Sequence, residues 1–120
     1  MGQNGHVRVV IVDDEAIFRE AARQCLTARG YHVVAEASCA ASAVEAVQRH
    51  EPDAMLVDVR LGDGDGFAVC DAVTRMRPHL AVLLTSTDNY EHLIESCGAR
   101  GFILKHHLAD VDFGRFWQSA

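Results

Sequence analysis

Short apolar runs alternate with amphipathic stretches along the chain. Val7-Arg8-Val9-Val10-Ile11-Val12 is a β-branched run stopped by Asp13-Asp14, the pattern of a strand buried on both faces. Residues 15 to 29 put Phe18, Ala21, Ala22, Cys25 and Leu26 on one helical face and stop at Gly30, a residue suited to the turn that ends a helix. The cycle then repeats. A strand over Tyr31 to Ala35 precedes a helix over Ala40 to His50 carrying Ala43, Val44 and Val47. Pro52-Asp53 breaks that helix before the strand Ala54 to Val57, which stops at Asp58. After a Gly/Asp loop, a helix over Gly66 to Met76 bears Phe67, Cys70 and Val73 and ends before Pro78. Leu80 to Leu84 is the fourth strand and stops at Thr85. Asp88 with Glu91 marks a helix start, and Gly98 closes that helix. Gly101 introduces the last strand, Phe102 to Leu104, which stops at Lys105, and Leu108 to Gln118 is only weakly helical.

Five strands alternating with helices imply parallel strands joined by right-handed crossovers, with helices on both faces. The expected fold is an α/β three-layer sandwich. The alternation by itself leaves the strand order open.

The 120 residues suffice for one domain and not for two, and no linker or repeat divides them. The expectation is one domain over residues 1–120, with a core over about 7–109 and an aromatic segment at 110–120. A net charge of −6 argues against nucleic-acid binding, which draws on Lys and Arg to neutralise phosphates. Cys25, Cys39, Cys70 and Cys97 have neither C-x-x-C spacing nor a partner His at finger spacing, so they read as small hydrophobes. The polar start, MGQNGH, has no apolar signal region, and no run reaches membrane-spanning length. A cytoplasmic protein without membrane contact is expected.

The chemistry gathers at the strand ends, where open α/β sheets place their ligands. Asp13 and Asp14 end the first strand, Asp58 the third, Thr85 the fourth and Lys105 the fifth. Strands end where polar residues begin, so no one of these positions is informative by itself. All five being competent for phosphate or metal chemistry is. Three carboxylates in one pocket repel unless a cation intervenes, and Mg²⁺ with carboxylates, waters and a phosphate oxygen suits that donor set. Lys105 is the only lysine beside ten arginines, a compact charge placed where a phosphate would arrive.

At these residues the chain resembles the receiver domain of bacterial two-component response regulators. The resemblance runs from about Arg8 to Ala109 through VVIVDDE, LVDVRLGDGDG, LLTST and GARGFILK, in the family's order. It implies a flavodoxin-like sheet of order 2-1-3-4-5, five helices, and a phosphoryl group taken from a histidine kinase or phosphotransfer protein. Asp58 matches the phosphoacceptor. Asp13, Asp14 and the backbone carbonyl of Arg60 match, with Asp58, the Mg²⁺ ligands. Lys105 matches the phosphate-pairing lysine, Thr85 the hydroxyl that follows the phosphoryl group, and Phe102 the aromatic that rotates with it. The implied output is a change in the surface of helix 4, strand 5 and helix 5, read by a downstream protein partner. The resemblance implies no enzyme beyond self-phosphorylation and autodephosphorylation.

Four features depart from the family pattern. Gly62 replaces a proline after the acceptor and opens an Asp63-Gly64-Asp65-Gly66 loop, expected to be more mobile and more acidic near the metal, with Asp65 capping the next helix. Ser86 follows Thr85 in place of a smaller residue. His106 follows Lys105 in place of proline, and an exposed side chain is expected there. Phe113, Phe116 and Trp117 crowd the C-terminal segment, either capping the core beside the first helix or offering a dimer or partner surface. Competing readings are the excised receiver of a DNA-binding regulator and a receiver that binds partners without phosphorylation. A third is a haloacid dehalogenase-type phosphatase, which would want D-x-D closing its first strand.

Overall fold

Residues 7–117 are described by a computed structural model; residues 1–6 and 118–120, including the polar start and the end of the aromatic segment, lie outside the described residues. Five apolar runs pair side by side as β1 (Arg8–Val12), β2 (His32–Ala37), β3 (Ala54–Asp58), β4 (Ala81–Ser86) and β5 (Gly101–Leu104). All neighbours are parallel, and the order is β2-β1-β3-β4-β5. This is the flavodoxin-like order that the resemblance implies.

Period-two alternation explains why the central strands are apolar throughout. Val10 and Val12 of β1 face Ala43 and Val47 of α2 (Ala40–His50) and Val69 and Val73 of α3 (Gly66–Met76). Val9 and Ile11 face the other way, toward Ala22 and Leu26 of α1 (Ala16–Ala28). One helix on one face and two on the other make three layers. Gly30, with φ 91°, supplies the left-handed turn that releases the chain from α1 into β2.

The implied set of five helices is not met: three α-helices form among the described residues. Glu91–Ser96 is a 3-10 helix, and after β5 come two more, Lys105–Asp110 and Phe113–Arg115. The local sequence accounts for both changes. Asp88 is drawn to Arg60 instead of capping, and Asn89 takes the turn by accepting from the Glu91 N–H at 2.8 Å. Only seven residues then remain before Gly98, about two helical turns. Further on, Val111 and Asp112 are extended and split the C-terminal segment.

Phe113 and Trp117 are buried against Tyr31, in the layer that contains α1. Phe113 stacks on Trp117 at 4.9 Å between centroids, and Tyr31 meets Trp117 edge-on at 5.5 Å. The Arg29 guanidinium, which lies 5.1 Å over Phe113, donates to the carbonyls of Ala109 and Val111. The core-capping reading holds for these two aromatics, and Phe116 is half-buried against β5.

The loop after β3 corrects another expectation. Arg60–Leu61 and Gly64–Asp65 pair as a small antiparallel hairpin. At its tip Asp63 accepts from the N–H groups of Ala40 and Ala41, at 2.7 and 3.2 Å. The acidic tip is therefore anchored on the N-terminus of α2 and spends its charge there. Asp65 caps α3 by accepting from the Ala68 N–H at 2.8 Å, as expected. Asp63→Ala is expected to cost about 1 kcal/mol, the usual worth of an N-terminal cap, measured by urea unfolding.

Candidate functional site

Sheet register brings the chemistry-bearing residues together. Val12 pairs with Val57 and Asp58 with Thr85, so Asp13, Asp58 and Thr85 emerge from adjacent strand ends. Thr85 pairs in turn with Ile103, two residues before Lys105. Asp13 is buried and fixed from both ends: its Oδ1 accepts from the Glu15 N–H at 2.8 Å, and its carbonyl from Arg19 Nη1 at 2.6 Å. Asp58, also buried, accepts from the Arg60 N–H at 3.2 Å.

Asp13, Asp14 and Asp58 each offer a carboxylate oxygen, all within 4.8 Å of one another. Asp14 is exposed, giving this cluster a solvent side. Lys105 Nζ lies 2.8 Å from Asp13 Oδ2, 2.8 Å from Glu15 Oε1 and 3.2 Å from Asp58 Oδ2. Its side chain is only 10% exposed, and Nζ sits 4.7 Å over the Phe18 ring. The Asp13 contact is an ion pair by distance outside hydrogen-bond geometry, which leaves the buried Oδ2 without a hydrogen bond.

Burial pushes the carboxyls of both Asp13 and Asp58 above the usual range, against the pull of Lys105 and of the backbone N–H groups they accept from. Burial alone would lower Lys105, but its contacts with Asp13 and Glu15 outweigh that and raise it. Hydrogen bonding to Lys105 lowers Glu15. Three converging hard donors, one of them on an exposed residue, fit a divalent cation such as Mg²⁺, with room for water on the Asp14 side.

The remaining residues named from sequence sit around this centre. The Thr85 hydroxyl is fully buried with no hydrogen-bond partner. Ser86 turns its hydroxyl to its own chain, accepting from the Asp88 N–H at 3.2 Å. Phe102 is half-buried on β5 and borders a groove with Phe116, Glu91 and His107. His106 is exposed, its ring 4.2 Å from that of His107. Arg60 opens the hairpin, and its side chain reaches Asp88 and Tyr90.

Two participants were missed from sequence. Glu15, the third acid of the first strand's end, adds the third carboxylate on Lys105; its signal was the run of three acids. Gly66 lies so close to the acceptor that a Cβ there would stand 2.3 Å from the Asp58 carbonyl oxygen. Its position after Asp65 gave no hint of that approach.

Residues 9–111 match the response regulator receiver domain family. The chain belongs to that family. It is 30% identical over 106 residues to the chemotaxis protein CheY of Bacillus subtilis, covering 86% of this chain and 88% of that protein. It is 38% identical over 103 residues to a transcriptional regulatory protein, NarL, of Mycobacterium tuberculosis, covering 82% of this chain and 48% of that protein. The chain thus spans most of the first relative and about half of the second. The signal receiver domain of M. tuberculosis NarL superposes with a TM-score of 0.77 at 35% identity, covering 87% of this chain and 90% of that one. No helix among the described residues is long and apolar enough to cross a membrane.

Proposed function

We propose that the chain is a Mg²⁺-dependent phosphoacceptor of a two-component relay, with Asp58 as the acceptor. The observation that carries the reading is the convergence of Asp13, Asp14 and Asp58 on one strand-end pocket with Lys105 against them. Asp13, Asp14, Asp58 and the Arg60 carbonyl would hold the ion, which neutralises charge on the transferring phosphoryl oxygens. The chain's own residues do the rest. One Asp58 oxygen bonds to phosphorus as the phosphorus–nitrogen bond to a kinase or phosphotransfer histidine breaks, and the imidazole leaves with the electron pair. Lys105, already beside Asp58, takes up the new negative charge as a point cation.

Thr85 and Phe102 are the proposed switch. The phosphoryl oxygens give the orphaned Thr85 hydroxyl an acceptor, and its inward turn clears space for Phe102. Thr85→Val is expected to leave the resting protein as stable or up to about 1 kcal/mol more stable, because it removes a buried unpaired hydroxyl; a loss of stability in urea would show that the hydroxyl has a partner. Residues 1–120, with their core over about 7–109, act as one receiver unit in a cytoplasmic relay, and output passes through protein contacts near β5 and the 91–96 turn. The exposed edge of Phe116 is the part of the aromatic segment open to a partner or a second copy.

The reading is tested by incubating the protein with acetyl phosphate, with and without Mg²⁺, and weighing it intact. One added phosphoryl group is expected, dependent on Mg²⁺ and lost in Asp58→Asn. Absence of labelling in folded, Mg²⁺-loaded protein would leave the binding-module reading in its place.

A further inference from the structure

Arg60 stands two residues past Asp58, and its side chain crosses to the loop after β4. Nη2 donates to Asp88 Oδ2 at 3.2 Å and to the Tyr90 hydroxyl at 3.1 Å. Tyr90 is packed edge-on against Phe67 of α3, 6.0 Å between centroids. One guanidinium therefore ties the acceptor strand to the loop leading into the 91–96 turn. The tie is weakly held: the Arg60 side chain is 70% exposed and Asp88 61%, and exposed pairs of this kind contribute little. Among the described residues, Nη1 and Nε make no hydrogen bond.

We propose that Arg60 is a phosphoryl-binding residue and a latch: it holds Asp88 and Tyr90 in the resting protein and transfers to the phosphoryl group formed on Asp58. The inference rests on the reading of Asp58 given above. A phosphoryl group adds charge and acceptor oxygens, and a guanidinium can pair with such a group through two parallel bonds, against the single Nη2 bond that it makes to the exposed Asp88 here. Arg60 then lets go of Asp88 and Tyr90. The freed loop runs directly into Asn89 and Glu91, which border the groove of about 570 Å³ that also contains Phe102 and Phe116. This gives the pocket a second route to the surface, separate from Thr85 and Phe102.

The test is a double-mutant cycle on binding of beryllium fluoride, a phosphoryl mimic, in excess Mg²⁺. Both Arg60 and Asp88 are exposed, so their variants keep the fold. Arg60→Gln is expected to weaken binding about five- to tenfold, having lost charge-assisted bonds to the mimic. Asp88→Asn is expected to tighten it about two- to fivefold by removing the competitor, and to have no effect once Arg60 is Gln. The Tyr90 ring resonances should shift on saturation in the wild type and stay fixed in Arg60→Gln. An Asp88→Asn effect equal in both backgrounds, or a Tyr90 ring that does not respond, overturns the latch alone. Failure of the wild type to bind the mimic overturns the reading of Asp58 and the latch with it.

Discussion

Gly66→Ala is expected to destabilise the protein by about 3 kcal/mol or more, at the upper end for overpacking. The added methyl would lie 2.3 Å from the Asp58 carbonyl oxygen, 2.9 Å from Val59 Cα and 3.0 Å from the Asp58 carbonyl carbon. All three are backbone atoms, so no side-chain rotation relieves the clash. The Gly66 N–H donates to the Val59 carbonyl at 2.7 Å, and α3 would have to pull away from β3 and lose that bond. Because the displaced strand end is the one that aims Asp58, labelling at Asp58 should fall together with stability. Gly62→Ala, with nothing within 4 Å of its Cβ position, is the control and should unfold near the wild-type midpoint. A Gly66→Ala protein matching the wild type in both urea midpoint and labelling would show that the approach is not needed.

Mg²⁺ at a hundred times its dissociation constant is expected to stabilise the folded chain by about 2.7 kcal/mol, and Asp13→Asn should abolish that gain. In the absence of metal the sign reverses. Burial raises the folded-state pKa of both Asp13 and Asp58 above the ordinary carboxylate value. The folded state therefore holds more protons than the unfolded one in the window just above that value. Stability contributed by protonation is full below the window and falls as pH rises through it. Metal-free Asp13→Asn should flatten this slope and gain about 1 kcal/mol near neutral pH, since Lys105 keeps Glu15 and Asp58 as partners. Thermal unfolding with and without Mg²⁺ across pH 4 to 8 reads both effects. An equal Mg²⁺ shift in wild type and variant would place the ion elsewhere.

The sheet was legible in the sequence because each strand is an unbroken apolar run closed by a polar residue, and burial on both faces demands that pattern. The pocket was legible for a related reason: Asp13, Asp58, Thr85 and Lys105 are the closing residues. Strand ends moved by a residue or two, and β4 continues through Thr85 and Ser86, because ladder pairing with Asp58 extends past the apolar run. The helices were read less well where few residues separate competing anchors. Around Tyr90, side-chain bonds from Arg60 and Asn89 consume the turn that the Asp88–Glu91 spacing had assigned to a cap. Asp63 shows the same limit. Its carboxylate looked like part of the metal surroundings by proximity in sequence, but it caps a helix more than twenty residues earlier. Contacts of that range, like the approach of Gly66 to Asp58, come from packing and leave no periodic trace.

Asp58 alone is expected to receive the phosphoryl group. An acyl phosphate is reduced by borohydride to the alcohol, so treating acetyl phosphate-labelled protein with borohydride and sequencing its peptides by mass spectrometry locates the modified carboxylate. Homoserine is expected at residue 58, with unmodified aspartate at positions 13, 14 and 63. Homoserine at any of those three, or none at 58 in protein carrying one phosphoryl group, would contradict it.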